Sequence, residues 1–145
     1  LSAVGQGSWQ PSNDPRPWVR FILTAHLRQA HTMLRRVKES EYLWLELERL
    51  TSQHGLPSRT LAVLFDAASG LRVRNGTYRA ALKGTEAEIT DQTASRDLQT
   101  LVKAGLLVHN SRARGRWYTA TPQVQLIRQH LIKMRDPRDD SDPFG

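Results

Sequence analysis

Seven residues between Gln92 and Lys103 carry the richest chemistry in this chain: Gln92, Thr93, Ser95, Arg96, Gln99, Thr100 and Lys103. All are hydrogen-bond donors or cations. Their spacing places Thr93, Arg96 and Thr100 on one exposed stripe of a helix, with the other four on its flanks. Arg, Gln and Thr can reach base edges in a duplex groove, and Arg reads guanine well. A second set follows. Arg112, Arg114 and Arg116 alternate with Ala113 and Gly115, so an extended loop would turn all three arginines to one side. Their chemistry is phosphate or minor-groove contact.

The elements that must hold these residues can be read outward from them. Thr90 is the expected N-cap, with a hydroxyl placed to accept an unpaired backbone N–H. Asp91 sets a negative charge at the positive end of the helix dipole. Ala94, Leu98, Leu101 and Val102 form the apolar stripe, and Gly105 ends the helix. Two strands are predicted next, Leu106–His109 and Trp117–Thr119, joined by the arginine loop. Upstream, residues 77–82 read as the first helix of a helix-turn-helix, with Tyr78, Ala81 and Leu82 inward and Lys83–Thr85 as the loop. Leu71–Arg74 reads as a short first strand, and Asn75-Gly76 as a turn. Asp97 is expected to pair with a cation such as Arg79 or Lys83.

The fold class expected is mostly α: a helical N-terminal segment followed by a winged helix-turn-helix with a small β-sheet as its wing. Residues 1–17, with Pro11, Pro15 and Pro17, read as a linker. Residues 18–54 read as two helices, 18–38 and 40–53, the second with Leu43, Leu47 and Leu50 as its seam. Residues 57–135 form the winged-helix domain. It opens with a helix over residues 58–69. It closes with one over residues 123–133 whose stripe is Val124, Ile127, Leu131 and Met134. Residues 136–145 read as a disordered acidic tail. Trp18, Trp44, Trp117 and Tyr118 read as packing residues.

Thr93 to Leu107 resembles the recognition helix of DeoR-type winged-helix repressors. A wider resemblance runs from residue 5 to about residue 125. Gly7-Ser-Trp-Gln-Pro11 and Arg16-Pro-Trp-Val-Arg-Phe-Ile-Leu-Thr-Ala-His-Leu-Arg-Gln-Ala-His31 are similar to the segment that follows the catalytic motif in bacterial Fic-family proteins. Some of those carry a C-terminal winged helix. The resemblance implies a parent that transfers AMP from ATP to a protein hydroxyl. The family motif, His-Pro-Phe-x-Asp/Glu-Gly-Asn-Gly-Arg, is absent from these 145 residues. The expectation is a C-terminal fragment separated from its N-terminal catalytic domain. ATP then belongs to the parent, with no cofactor in the fragment.

Charge agrees with a nucleic-acid partner. Between Arg72 and Arg116 stand nine Lys/Arg against four acids, which places five of the chain's seven net positive charges there. Duplex DNA is therefore the expected partner. A protein-interaction or oligomerisation module is the alternative. A homodimer through residues 18–54 is also expected, because the first helix is apolar on more than one side. There is no cysteine, which fits a reducing cytoplasm. No apolar run approaches a membrane span. His26 and His31 are five apart, which is wrong for a helical metal pair. No metal site and no catalytic set is expected. Radiolabelled ATP incubated with the chain and a cell lysate should leave no protein label above a control lacking the chain. Reproducible labelling would overturn that expectation.

Overall fold

The computed structural model describes residues 14–110, 115–137 and 141–145. Among these the chain is mostly α with a small two-stranded β wing. The order is α1 (Arg16–Gln53), α2 (Thr60–Ala68), α3 (Asn75–Leu82), α4 (Asp91–Lys103), β1 (Leu107–Asn110), β2 (Trp117–Ala120) and α5 (Pro122–Lys133). The chain divides into two compact units, Leu1–Lys38 with Asp136–Gly145, and Glu39–Arg135.

α1 corrects the expectation of two helices. Residues 37–41 hold neither glycine nor proline, so the sequence carries no breaker that would stop propagation at residue 39. The division between units falls within α1, after Lys38. In the first unit Arg20 donates to the Phe144 carbonyl at 3.1 Å, and its guanidinium lies 5.8 Å from the Phe144 ring. The end of the tail, expected to be disordered, thus has a specific contact on α1.

The second unit holds the core. Leu43 and Leu47 of α1 are buried together with Leu61, Leu64 and Ala67 of α2. Tyr78, Leu98, Leu101, Leu106 and Val124 extend the same cluster. The expected seam of Leu43, Leu47 and Leu50 holds, with Leu50 half-buried. α5 packs on α2 and β2 through Val124, Ile127 and Leu131. Met134 is exposed instead, because the helix ends at Lys133 and its last turn projects past the core. Arg135 makes a bidentate bond to Glu39 at 2.6 and 2.7 Å, tying the exit of α5 back to α1.

β1 and β2 pair antiparallel, with Leu107 opposite Ala120 and Asn110 opposite Trp117. Tyr118 and Ala120 turn into the core while Trp117 and Thr119 are half-exposed, the alternation a one-sided sheet requires. The predicted strand at Leu71–Arg74 contributes one residue only. Val73 exchanges two backbone hydrogen bonds with Tyr118, at 3.0 and 2.8 Å. The strand stays this short because Gly70 turns the chain before it and α3 begins two residues later. Asn75-Gly76, expected as a turn, is instead the first turn of α3. The Asn75 amide finds acceptors across on α4, which outweighs its turn preference.

One buried charge joins three of these helices. Asp97 is 5% exposed. Arg59, the residue ahead of α2, grips its carboxylate with two bonds of 2.7 and 2.9 Å, and the Tyr78 hydroxyl of α3 donates a third at 3.0 Å. The expected partners, Arg79 and Lys83, are not used. Ala81 is likewise exposed rather than packed, since α3 turns only Tyr78 and Leu82 inward.

Burial, and then the adjacent Asp97 charge, push the Tyr78 phenol above its ordinary value of 10.0. The folded chain holds that proton more tightly than the unfolded chain. Its contribution is therefore intact below about pH 10 and lost as pH rises beyond it. Tyr78→Phe should cost about 2 kcal/mol at neutral pH, the worth of a hydrogen bond to a charged group. It should also flatten the loss of stability above about pH 10 relative to the parent chain. Urea titrations across that range check both. Parallel alkaline slopes in the two proteins would exclude the phenol as the titrating group.

Candidate nucleic-acid interface

α4 starts where the sequence says it must. The Thr90 hydroxyl accepts the Thr93 N–H at 3.2 Å, and the Thr90 and Thr93 hydroxyls lie 3.0 Å apart. Gly105 ends the helix at φ +72°, a conformation that side chains with a Cβ resist. Ala94, Leu98 and Leu101 are buried and Val102 is half-buried, as expected. The turn before α4 is longer than Lys83–Thr85 and runs to Thr90. Glu88 braces it by accepting the Gly84 N–H at 2.9 Å. Thr85 braces it by donating to the Leu82 carbonyl at 2.7 Å.

The outward residues divide into two groups. Gln92, Arg96, Gln99 and Lys103 are exposed and make no side-chain hydrogen bond or ion pair among the described residues. At about 100° per residue they fall within roughly one-sixth of the helix circumference. The others are engaged. The Ser95 hydroxyl accepts from the Asn75 amide at 2.8 Å. Thr93 joins the cap. The Thr100 hydroxyl donates back to the Arg96 carbonyl at 2.9 Å while the residue stays exposed. The expected stripe of Thr93, Arg96 and Thr100 therefore shifts to one led by Arg96 and Lys103.

Both acids of α4 are neutralised away from this face. Asp97 lies in the core with Arg59 and Tyr78. Asp91 pairs with Arg79 at 3.2 Å. That second pair is solvent-exposed and adds under about 1 kcal/mol. Its effect is on the local field rather than on stability. The uncompensated charge of the helix is then carried by Arg96 and Lys103.

On the wing, Arg116 is exposed, while Arg112 and Arg114 lie outside the described residues. One contact was not expected. The Arg72 guanidinium stacks 4.5 Å from the centre of the Trp117 ring. This is cation–π distance, and stacking leaves the guanidinium edge open for anions. The signal for it was the Val73–Tyr118 pairing, which puts Arg72 and Trp117 on the outer side of the sheet; sequence alone does not give that register. Tyr118 is core, as read, and Trp44 meets Phe65 at 5.6 Å.

No family model, curated protein or solved structure matches this chain. Among the described residues, no group of three His, Cys, Asp or Glu is placed to hold a metal ion. Among the same residues, no helix is long and apolar enough to cross a membrane.

The Asn75 amide donates to both the Asp91 carbonyl and the Ser95 hydroxyl, at 3.0 and 2.8 Å, and so fixes the approach of α3 to α4. Asn75→Ala should lower the unfolding free energy by about 1–2 kcal/mol with an unchanged denaturant slope. An unchanged urea midpoint would show that these bonds do not hold the two helices together.

Proposed function

We propose that this chain is the C-terminal winged helix-turn-helix module of a Fic-like protein, and that it binds duplex DNA to target or regulate a parent AMP-transferase. The observation that carries the DNA reading is the charge separation on α4. Asp91 and Asp97 are bound by Arg79 and Arg59, while Gln92, Arg96, Gln99 and Lys103 stand exposed on one side, with no side-chain partner among the described residues. Such a face suits a groove whose walls are phosphates and whose floor offers acceptors. Arg116 and the Arg72–Trp117 stack supply further cations on the wing. The Fic-like parent, its ATP and its AMP transfer rest on the resemblance of residues 5–125. A cytoplasmic setting accords with the absence of cysteine.

The alternative, a module that docks proteins to control the parent or present its substrate, draws on another feature. Ser40, Glu41, Trp44, Leu45 and Phe65 line an open apolar groove of about 490 Å³. An exposed groove of this kind suits an apolar side chain of a partner.

Fluorescence anisotropy with a random duplex separates the two readings. Non-specific binding should lie around 10⁻⁴–10⁻⁶ M at physiological salt and weaken steeply as salt rises. Replacing Arg96 and Lys103 with Ala should lower the log–log salt slope by about 2. Replacing Arg112, Arg114 and Arg116 should lower it as well. An unchanged slope in the first variant would mean that α4 makes no phosphate contact. Absence of binding even at low salt would favour the protein-docking reading.

A further inference from the structure

α1 carries a second pattern that the DNA-binding reading does not use. Leu23, Leu27, Ala30, Leu34 and Val37 follow one another at intervals of four, three, four and three residues. This is the heptad spacing of a coiled-coil seam. All five are exposed, and the four large ones strongly so: Leu23 at 49%, Leu27 at 40%, Leu34 at 60% and Val37 at 51%. Every one lies in the first compact unit. A seam that repeats every 3.5 residues matches another helix with the same repeat far better than it matches a sheet or a loop.

We infer that this seam pairs with the same seam of a second copy, forming a two-fold helical dimer. Two observations and one general rule of symmetry select that occupant. The positions flanking the seam are Thr24, His26, His31, Met33 and Lys38. They include no acid and, with histidine neutral, a single formal charge. A partner selected by charge would find little to read there, whereas two identical copies meet with little repulsion. Apolar area is available for it. Leu23, Leu27, Leu34 and Val37 with the exposed Val19 and Met33 offer on the order of 500 Å² per chain, about two-thirds of the roughly 800 Å² per partner of a standard interface. Finally, an isologous contact closes on itself and leaves no apolar seam exposed.

Sedimentation equilibrium of the whole chain tests this. The chain should sediment at twice its monomer mass at tens of micromolar. Leu27→Glu with Leu34→Glu should weaken association by at least about 100-fold, as four charges enter one seam. These side chains are exposed, so circular dichroism should show that the variant chain still folds as a mostly helical protein. Gln29→Glu, on the opposite side of α1, should leave the dissociation constant unchanged. A monomeric parent chain at about 100 µM would overturn the inference. So would a double variant that dimerises like the parent, or a Gln29 variant weakened as much as the seam variant. DNA binding is read separately, so the failure of either proposal leaves the other standing.

Discussion

The second unit depends on a buried carboxylate. Asp97 faces inward from α4, the helix whose opposite side carries the exposed cations Arg96 and Lys103. An unpaired charge at that depth would cost several kcal/mol. Arg59 and Tyr78 together give it three hydrogen bonds, two of them from a guanidinium. Each donor comes from a different helix region, the start of α2 and the middle of α3. The bonds therefore fix where α2 begins, how α3 leans and which way α4 is rolled. Apolar packing of Leu98 and Leu101 alone would tolerate small rotations of α4. A bidentate carboxylate does not.

That rotation has an electrostatic consequence. With Asp97 turned inward and Asp91 drawn to Arg79, the outer side of α4 keeps its cations and amides and sheds its acids. The Asn75 bridge and the Thr90 cap hold the first turn of the same helix. The wing is built on the same logic. Val73 and Tyr118 lock the sheet to the segment before α3, and this brings Arg72 onto Trp117. Stability and surface charge are thus set by the same few contacts.

Much of this was legible in the sequence because it is local. The α4 stripe, the Thr90 cap and the Gly105 stop depend on residues within a few positions of one another. The wing strands and α5 follow from short patterns of the same kind. The misreadings share a different cause. Arg59 and Asp97 are 38 positions apart, and nothing local distinguishes Arg59 from Arg79 as a partner. Ser95 looked free until Asn75 was placed beside it. The boundary expected near residue 39 was absent because helix periodicity drifts without a breaker, and a drifting stripe resembles a new helix. The same drift conceals the heptad seam, since its residues merge with Trp18, Phe21 and Ile22 into one wide apolar side.

On the proposed DNA-binding role, the neutralised roll of α4 would turn Gln92, Arg96, Gln99 and Lys103 toward the duplex. Backbone amide NMR shifts recorded while a short random duplex is titrated into the full chain address it most directly. The largest salt-sensitive shifts should fall along that side of α4, with further shifts at Arg72 and Arg116 and little change at Leu98 and Leu101. Shifts that leave α4 unmoved, or that concentrate around Trp44 and Phe65, would contradict it.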